Sequence, residues 1–382
     1  MADNYRFMSA DSHLDISPDQ WRHRAPAKWR DALRVVRLET GHDAIIVGDA
    51  DPVPLGNMGR VNTPHDQMHL QVMTFESGGG SWTPERRLQE QDEDGVDAEV
   101  LFSTTSSPGG MLKGTPAYAP MVHAYNEYLA EEYCATAPDR LIAMGLILNT
   151  GIEDAMAELQ YCAGAGLKGV MLDAFPSGKG YPTQEDDQFW AAALDLGMPI
   201  TSHTQFRGTG GPDFDYPKMG TDRGGRAEGQ TPIFQMTRFV NGHILSAMKM
   251  AFGGVFDRFP DLQIFWAETQ VGWLPHTLWQ MDDHYDRYKT YWKDVWGLEL
   301  ARMPSDYLRG NNVWGMLIDP LGVSTRHAVG VDRLMWGSDF AHAASEWPHS
   351  RKAVDAAFAG VPAEERDLMV RGNAIKYFHL AE

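Results

Sequence analysis

Eight short apolar runs recur along the chain, at residues 6–10, 98–103, 141–148, 169–173, 198–202, 262–267, 312–317 and 334–337. Each has the length and near-continuous hydrophobicity of a strand covered on both faces, as in a parallel sheet. Parallel neighbours need long crossovers. Helical spacing fills most of the gaps, over 117–137, 152–165, 185–196, 232–256, 271–285 and 320–329. Two of these helical stretches stop on a glycine and pass at once into the next strand, at Gly164-Ala165-Gly166 and at Gly197, the short turn expected at the bottom of a barrel. The pattern predicts an α/β protein built as a (β/α)8 TIM barrel.

Three stretches interrupt the alternation and are expected as insertions, at about 14–84, 205–230 and 289–309. The first two follow a strand directly and so should cover the catalytic face, where such barrels carry their long loops. No internal repeat and no linker composition divides the chain, so 1–382 is expected to be a single barrel domain.

Asp plus Glu outnumber Lys plus Arg by 52 to 33, a formal charge of −19. That sign repels phosphate backbones and anionic membranes, so neither is expected as a partner. With 43% hydrophobic and 22% charged residues, the chain can bury a large core. The first six residues are partly charged, and the longest apolar stretch, 141–148, is far shorter than the roughly 20 residues a membrane helix needs. Two cysteines, Cys134 and Cys162, lie in helical stretches and read as buried thiols. A cytoplasmic protein is expected.

The chemistry should lie where polar residues end the apolar runs. Asp11-Ser12-His13 follows the first strand, and residues i and i+2 of an extended backbone face one point, so Asp11 and His13 form a natural metal-ligand pair. Taken alone, such a triplet is as well explained by a polar turn. His203 ends the fifth strand and Asp339 the eighth; singly, these read as a core histidine and a helix cap. Together, two carboxylates and two histidines converge on the barrel mouth and can hold one divalent ion with a position left open. Glu268, ending the sixth strand, can ligate, orient a histidine or carry a proton; an ordinary carboxylate tied to arginine or amides is the alternative. His342 lies three residues beyond Asp339, while His276 and His284 read as helix-surface residues.

These positions sit in motifs that resemble the amidohydrolase superfamily, in the branch called amidohydrolase 2 that includes the aminocarboxymuconate-semialdehyde decarboxylase type. They are Ser9-Ala10-Asp11-Ser12-His13, Gly95-Val96-Asp97-Ala98-Glu99-Val100-Leu101-Phe102, Gly166-Leu167-Lys168-Gly169-Val170-Met171, Gly197-Met198-Pro199 leading to His203, Gly254-Val255-Phe256-Asp257-Arg258-Phe259-Pro260, Met335-Trp336-Gly337-Ser338-Asp339-Phe340 and Gly372-Asn373-Ala374. The resemblance implies a metal-dependent enzyme with Asp11, His13, His203 and Asp339 as ligands, Asp339 also taking or giving a proton. Many amidohydrolases carry a histidine where this chain has Glu268. No lysine is placed to bridge two ions, since Lys168 opens its strand, so one metal is expected: Zn²⁺, with Mn²⁺ as the alternative.

The leading expectation is a hydrolase in which Zn²⁺ lowers the pKa of a water towards roughly 7, Asp339 accepts the proton and Glu268 or a histidine protonates the leaving group. The alternative is a non-oxidative decarboxylase of an aromatic or unsaturated carboxylic acid. A third reading, a barrel that only binds a ligand, is separated from both by metal content. The substrate is expected to be small and planar. Trp82, Phe206, Phe214 and Tyr216 are candidates to stack on it, and Arg207, Arg223 and His342 to bind its polar groups. The chain lacks a phosphate-binding loop, a dinucleotide fingerprint and a nucleophile elbow. The resemblance implies a homo-oligomer, expected as a dimer.

Overall fold

In the computed structural model the described residues are 7–381 except 56–60, 62, 65, 78–82, 105, 204–205 and 207–231, with backbone alone for 69 and 232–241. Eight barrel strands run β1 (Met8–Leu14), β2 (Ala98–Ser103), β3 (Leu141–Ala143 continuing as Gly145–Leu146), β4 (Val170–Met171), β5 (Ile200–His203), β6 (Ile264–Ala267), β7 (Asn312–Met316) and β8 (Leu334–Trp336). All are parallel, and each pairs with its neighbour in sequence from β1 to β3 and from the second half of β3 to β8. The break inside β3 hands the chain from one partner to the other. The ring closes between β8 and β1 through a single parallel bridge, Ser12 to Phe340. These are the eight runs of the sequence.

Strand residues alternate between two layers of core, as a period of two requires. Ala98, Val100 and Phe102 of β2, Phe265 and Ala267 of β6 and Met335 of β8 fill the barrel interior. The intervening Leu101, Ile264, Trp266, Leu334 and Trp336 pack outward under the helices. Phe378 closes the interior packing, and the Tyr377 hydroxyl donates to the Ile200 and Gln263 carbonyls. Gly166 and Gly197 adopt φ of 87° and 59°, the left-handed ends their turns need.

The first insertion, aperiodic by sequence, holds a three-stranded antiparallel sheet of Leu33–Arg37, Asp43–Val47 and Val53–Pro54. These strands are too short to impose a pattern. The Val61 amide donates to the Ala341 carbonyl, so this insertion meets the loop that follows β8. In the third insertion, residues 289–296 extend a helix, Leu274–Trp296, and Pro304–Gly310 forms a second. The aromatic residues there are spaced for a helix face: Tyr288 stacks on Trp292 and Trp292 on Trp296, each four residues on. Among the described residues, no helix is long and apolar enough to cross a membrane.

Candidate metal centre

Strand β1 runs on to Leu14, further than its apolar run, so Asp11 and His13 lie within it, Asp11 inside a break in register between Ser9 and Ser12 and His13 beyond it. The extension is held by Leu14 pairing with Ser103 and by the His13 amide on the Phe340 carbonyl, 2.6 Å away. His203 is the last residue of β5 and pairs with Ala267, the last of β6. Glu268 follows at once, with φ 54°, and Asp339, just past β8, has the same φ of 54°. A left-handed backbone on residues other than glycine is uncommon and costs energy, and such strain collects at functional sites. Here it occurs at two carboxylates that face the same mouth.

The side chains of these residues lie close together. His13 Nε2 lies 2.8 Å from Asp339 Oδ1 and 3.7 Å from Asp11 Oδ1. His203 Nε2 lies 3.7 Å from Asp11 Oδ1 and 3.4 Å from Glu268 Oε2. His342 Nδ1 is 2.7 Å from Asp339 Oδ1, and its ring stacks on that of His13 at 3.8 Å. Two overlapping groups can each offer one ligand atom apiece to a common ion: Asp11 with His13 and His203, and His13 with Glu268, Asp339 and His342. Asp11 is 2% exposed, yet neither of its oxygens makes a hydrogen bond, and the same holds for His203 Nε2. Buried polar atoms normally have partners. An oxygen pair and an imidazole nitrogen left this way fit a divalent cation, which bonds directly to such lone pairs.

Electrostatics separates the histidines. Burial pushes His13 well below its ordinary value, and the charge of nearby His342 adds to this. Burial also opposes charge on His342, but Asp339 outweighs it and the imidazole is pushed up to about 9. His203 is raised as well, burial being overcome by Asp11 and Glu268. Burial raises Asp11 against the pull of His203. Asp339, where burial also acts upward, is held well below the usual carboxylate range by His342 and His13.

Behind the candidate ligands lies a polar layer that no single stretch of the sequence reveals. The hydroxyls of Ser9, Ser12 and Ser338 meet within 2.9–3.1 Å, joining β1 to the end of β8. Ser12 donates to Glu99 of β2, and Glu99 pairs with the fully buried Arg87 at 2.6 Å. Gly337 leaves room for this approach, because a Cβ there would overlap the Asp11 side chain. The signal was present in the quoted Met335–Phe340 and Gly95–Phe102 motifs, but nothing in them names the partner.

Trp82, Arg207, Arg223, Phe214 and Tyr216 lie outside the described residues. Phe206 does not wall a pocket: it is fully buried against Phe175 and Trp266 at 5.0 and 5.2 Å, because it packs outside the barrel. His276 and His284 are exposed on the helix Leu274–Trp296.

Comparison with known proteins gives the same outline. The 2-amino-3-carboxymuconate-6-semialdehyde decarboxylase of Dictyostelium discoideum is 24% identical over 205 residues, 53% of this chain and 51% of that protein, so the chain spans about half the length of this relative. An amidohydrolase from Mycobacterium avium subsp. paratuberculosis K-10 superposes with a TM-score of 0.73 at 19% identity, covering 99% of this chain and 100% of that one. The dihydroxybenzoic acid decarboxylase of Polaromonas sp. JS666, solved with manganese and the inhibitor 2-nitroresorcinol, gives 0.61 at 16% identity, covering 98% and 97%. Both likenesses are of fold. The sequence profile of the amidohydrolase family matches residues 67–380, from within the first insertion to beyond β8, and the chain belongs to that family.

Proposed function

We propose that the chain is a metal-dependent, non-oxidative decarboxylase of a small aromatic or unsaturated carboxylic acid. The observation that carries the metal is the buried, hydrogen-bond-free pair of Asp11 oxygens beside His13, His203 and Asp339. Decarboxylation is favoured over the hydrolysis that led in the sequence because the Dictyostelium relative and the manganese-bound Polaromonas structure both carry that activity in their names. The latter also favours Mn²⁺, with Zn²⁺ as the second choice.

Asp11, His13, His203 and Asp339 would hold the ion. When bound, it would supply positive charge that attracts the substrate carboxylate and draws electrons from the reacting carbon. His342 Nδ1 and Asp339 Oδ1 share a proton across 2.7 Å. As the bond from carbon to carboxylate breaks and CO₂ leaves, its electron pair stays on that carbon, and this pair of residues returns a proton to it. Solvent then restores the proton. Glu268 Oε2 lies 3.4 Å from His203 Nε2 and so would stand beside the ion as a further ligand or proton carrier. The first insertion meets the loop that follows β8, where the Val61 amide donates to the Ala341 carbonyl.

The experiment is product analysis on manganese-loaded protein with a panel of hydroxybenzoic and related acids. In D₂O, decarboxylation releases CO₂ and leaves one deuterium on the product carbon. Incorporation of ¹⁸O from labelled water without CO₂ would return the assignment to a hydrolase.

A further inference from the structure

Three of the four candidate ligands, Asp11, His13 and Asp339, sit on the seam between β1 and the end of β8. That seam has no regular ladder. It is made by the bridge of Ser12 to Phe340, by the Asp339 amide on the Asp11 carbonyl at 2.9 Å and by the His13 amide on the Phe340 carbonyl. A side chain from outside the barrel completes it. Arg87, on the helix Pro84–Asp94, is fully buried; its Nη1 donates to the His13 carbonyl at 3.0 Å and its Nη2 to the Phe340 carbonyl at 3.4 Å. The guanidinium also lies 4.7 Å over the Phe340 ring. Its Nε is fixed by Glu99 of β2 at 2.6 Å, and Glu99 is fixed in turn by Gln91 at 2.8 Å and Ser12 at 2.9 Å.

A buried ion pair is a poor way to gain stability, since desolvation offsets most of the attraction. An apolar pair of the same size would fill the space as well. What the pair does that apolar side chains cannot is span two carbonyls on two strands with one rigid, planar fork. Those carbonyls belong to a ligand, His13, and to the residue after a ligand, Asp339.

We propose that the Arg87–Glu99 pair is a positioning device for the metal centre, setting the separation of Asp11 and His13 from Asp339 across the barrel seam. Neither residue touches the ion or the substrate. The inference rests on the metal reading given above. Glu99 sets the Arg87 fork, the fork sets the two strands, and the strands set the ligand atoms. The hydroxyl cluster of Ser9, Ser12 and Ser338 ties the same seam from its other side.

The test uses Co²⁺ as probe, read by isothermal titration and by its visible absorption, which reports ligand geometry without any substrate. The double variant Arg87→Met/Glu99→Leu removes the fork and leaves no buried charge alone. It is expected to fold, to bind Co²⁺ about 10–100-fold more weakly and to show an altered band, in line with the usual cost of losing a group that orients ligands. Arg87→Lys keeps the charge opposite Glu99 but cannot bridge both carbonyls; its affinity should fall between the two, and it carries the test alone if the double variant does not fold. Leu159→Ala, fully buried on the outer helix Ile152–Gly164, lowers stability away from the seam and should leave affinity and band unchanged. Wild-type affinity and spectrum in folded double and lysine variants would overturn the positioning role alone. If wild-type protein takes up no Co²⁺, or Asp339→Asn takes it up equally well, the metal reading itself falls and this inference with it.

Discussion

Gly337 of the last barrel strand's end approaches Asp11 so closely that a Cβ on it would stand 3.0 Å from the Asp11 amide nitrogen, and would overlap the Asp11 side chain. Room for a carboxylate at the mouth is therefore provided by a missing methyl group on the neighbouring strand. Gly337→Ala must push the two strands apart. The expected cost is about 1–3 kcal/mol in urea unfolding, the usual range for overpacking. Bound metal should fall as well, and an alanine variant with wild-type stability and full metal content would show that the contact is relieved elsewhere.

Asp339→Asn keeps the shape of the side chain and removes its charge. The His342 imidazole, pushed up to about 9 by Asp339, should then titrate near or below its ordinary 6.5, because burial is left to act with less opposition. NMR titration of metal-free protein measures this directly. Metal analysis of the same variant should show little bound ion, with circular dichroism unchanged. A His342 that still titrates near 9 would mean that another anion holds its proton.

Metal affinity should climb with pH. Ligands bind as deprotonated groups, and in the metal-free protein the His203 imidazole is raised, burial being overcome by Asp11 and Glu268. Binding at neutral pH should therefore expel protons, and fewer remain to be expelled as pH rises. Calorimetry in two buffers of different ionisation enthalpy counts them. Proton release near zero at pH 7 would contradict the assignment of these groups to the ion.

A separate pH effect lies on the helical shell. His123 Nδ1 is 3.0 Å from the buried Glu158, which also accepts from Asn126, and the pairing raises the imidazole above its ordinary 6.5. The sign follows from the direction. The protonated pair stabilises the fold fully below pH 6.5, and the contribution disappears as pH rises through the raised value. With the ring 44% exposed, solvent limits it to under about 1 kcal/mol. His123→Gln should thus be less stable than wild type at pH 5.5 and equal to it above pH 9; a constant difference would assign the loss to packing.

Much of this was legible because parallel strands are buried on both faces and so appear as unbroken apolar runs. The runs 198–202 and 262–267 are each followed at once by a candidate site residue, His203 and Glu268. Other features escaped for identifiable reasons. Asp11 and His13 are in the strand although polar, since partners on β2 and β8 hold them there, and hydrophobicity cannot register that. The backbone at Glu268 and Asp339 is left-handed, a state that no propensity assigns to glutamate. His342 meets Asp339 only because the chain turns sharply between them. Arg87 and Glu99, twelve residues apart, look like solvent-facing charges until the helix Pro84–Asp94 is laid on the seam. Residues 289–296 are expected as the start of an insertion because their charges hide an i to i+4 aromatic stack.

Ser9 and Ser338, whose hydroxyls touch at 3.1 Å, are 329 positions apart in sequence. Asp11 and His13 come from the strand that opens the ring and Asp339 from the end of the strand that closes it, so these three side chains meet only when the whole circuit of the barrel has been made. During synthesis, the order of events is fixed by this separation: the ring must shut before the four candidate ligands stand together. Any ion they share then acts as a clasp, stabilising the closed ring in proportion to the logarithm of its free concentration over its dissociation constant. A cell short of that metal would hold the same chain with its ring more easily opened at one known place.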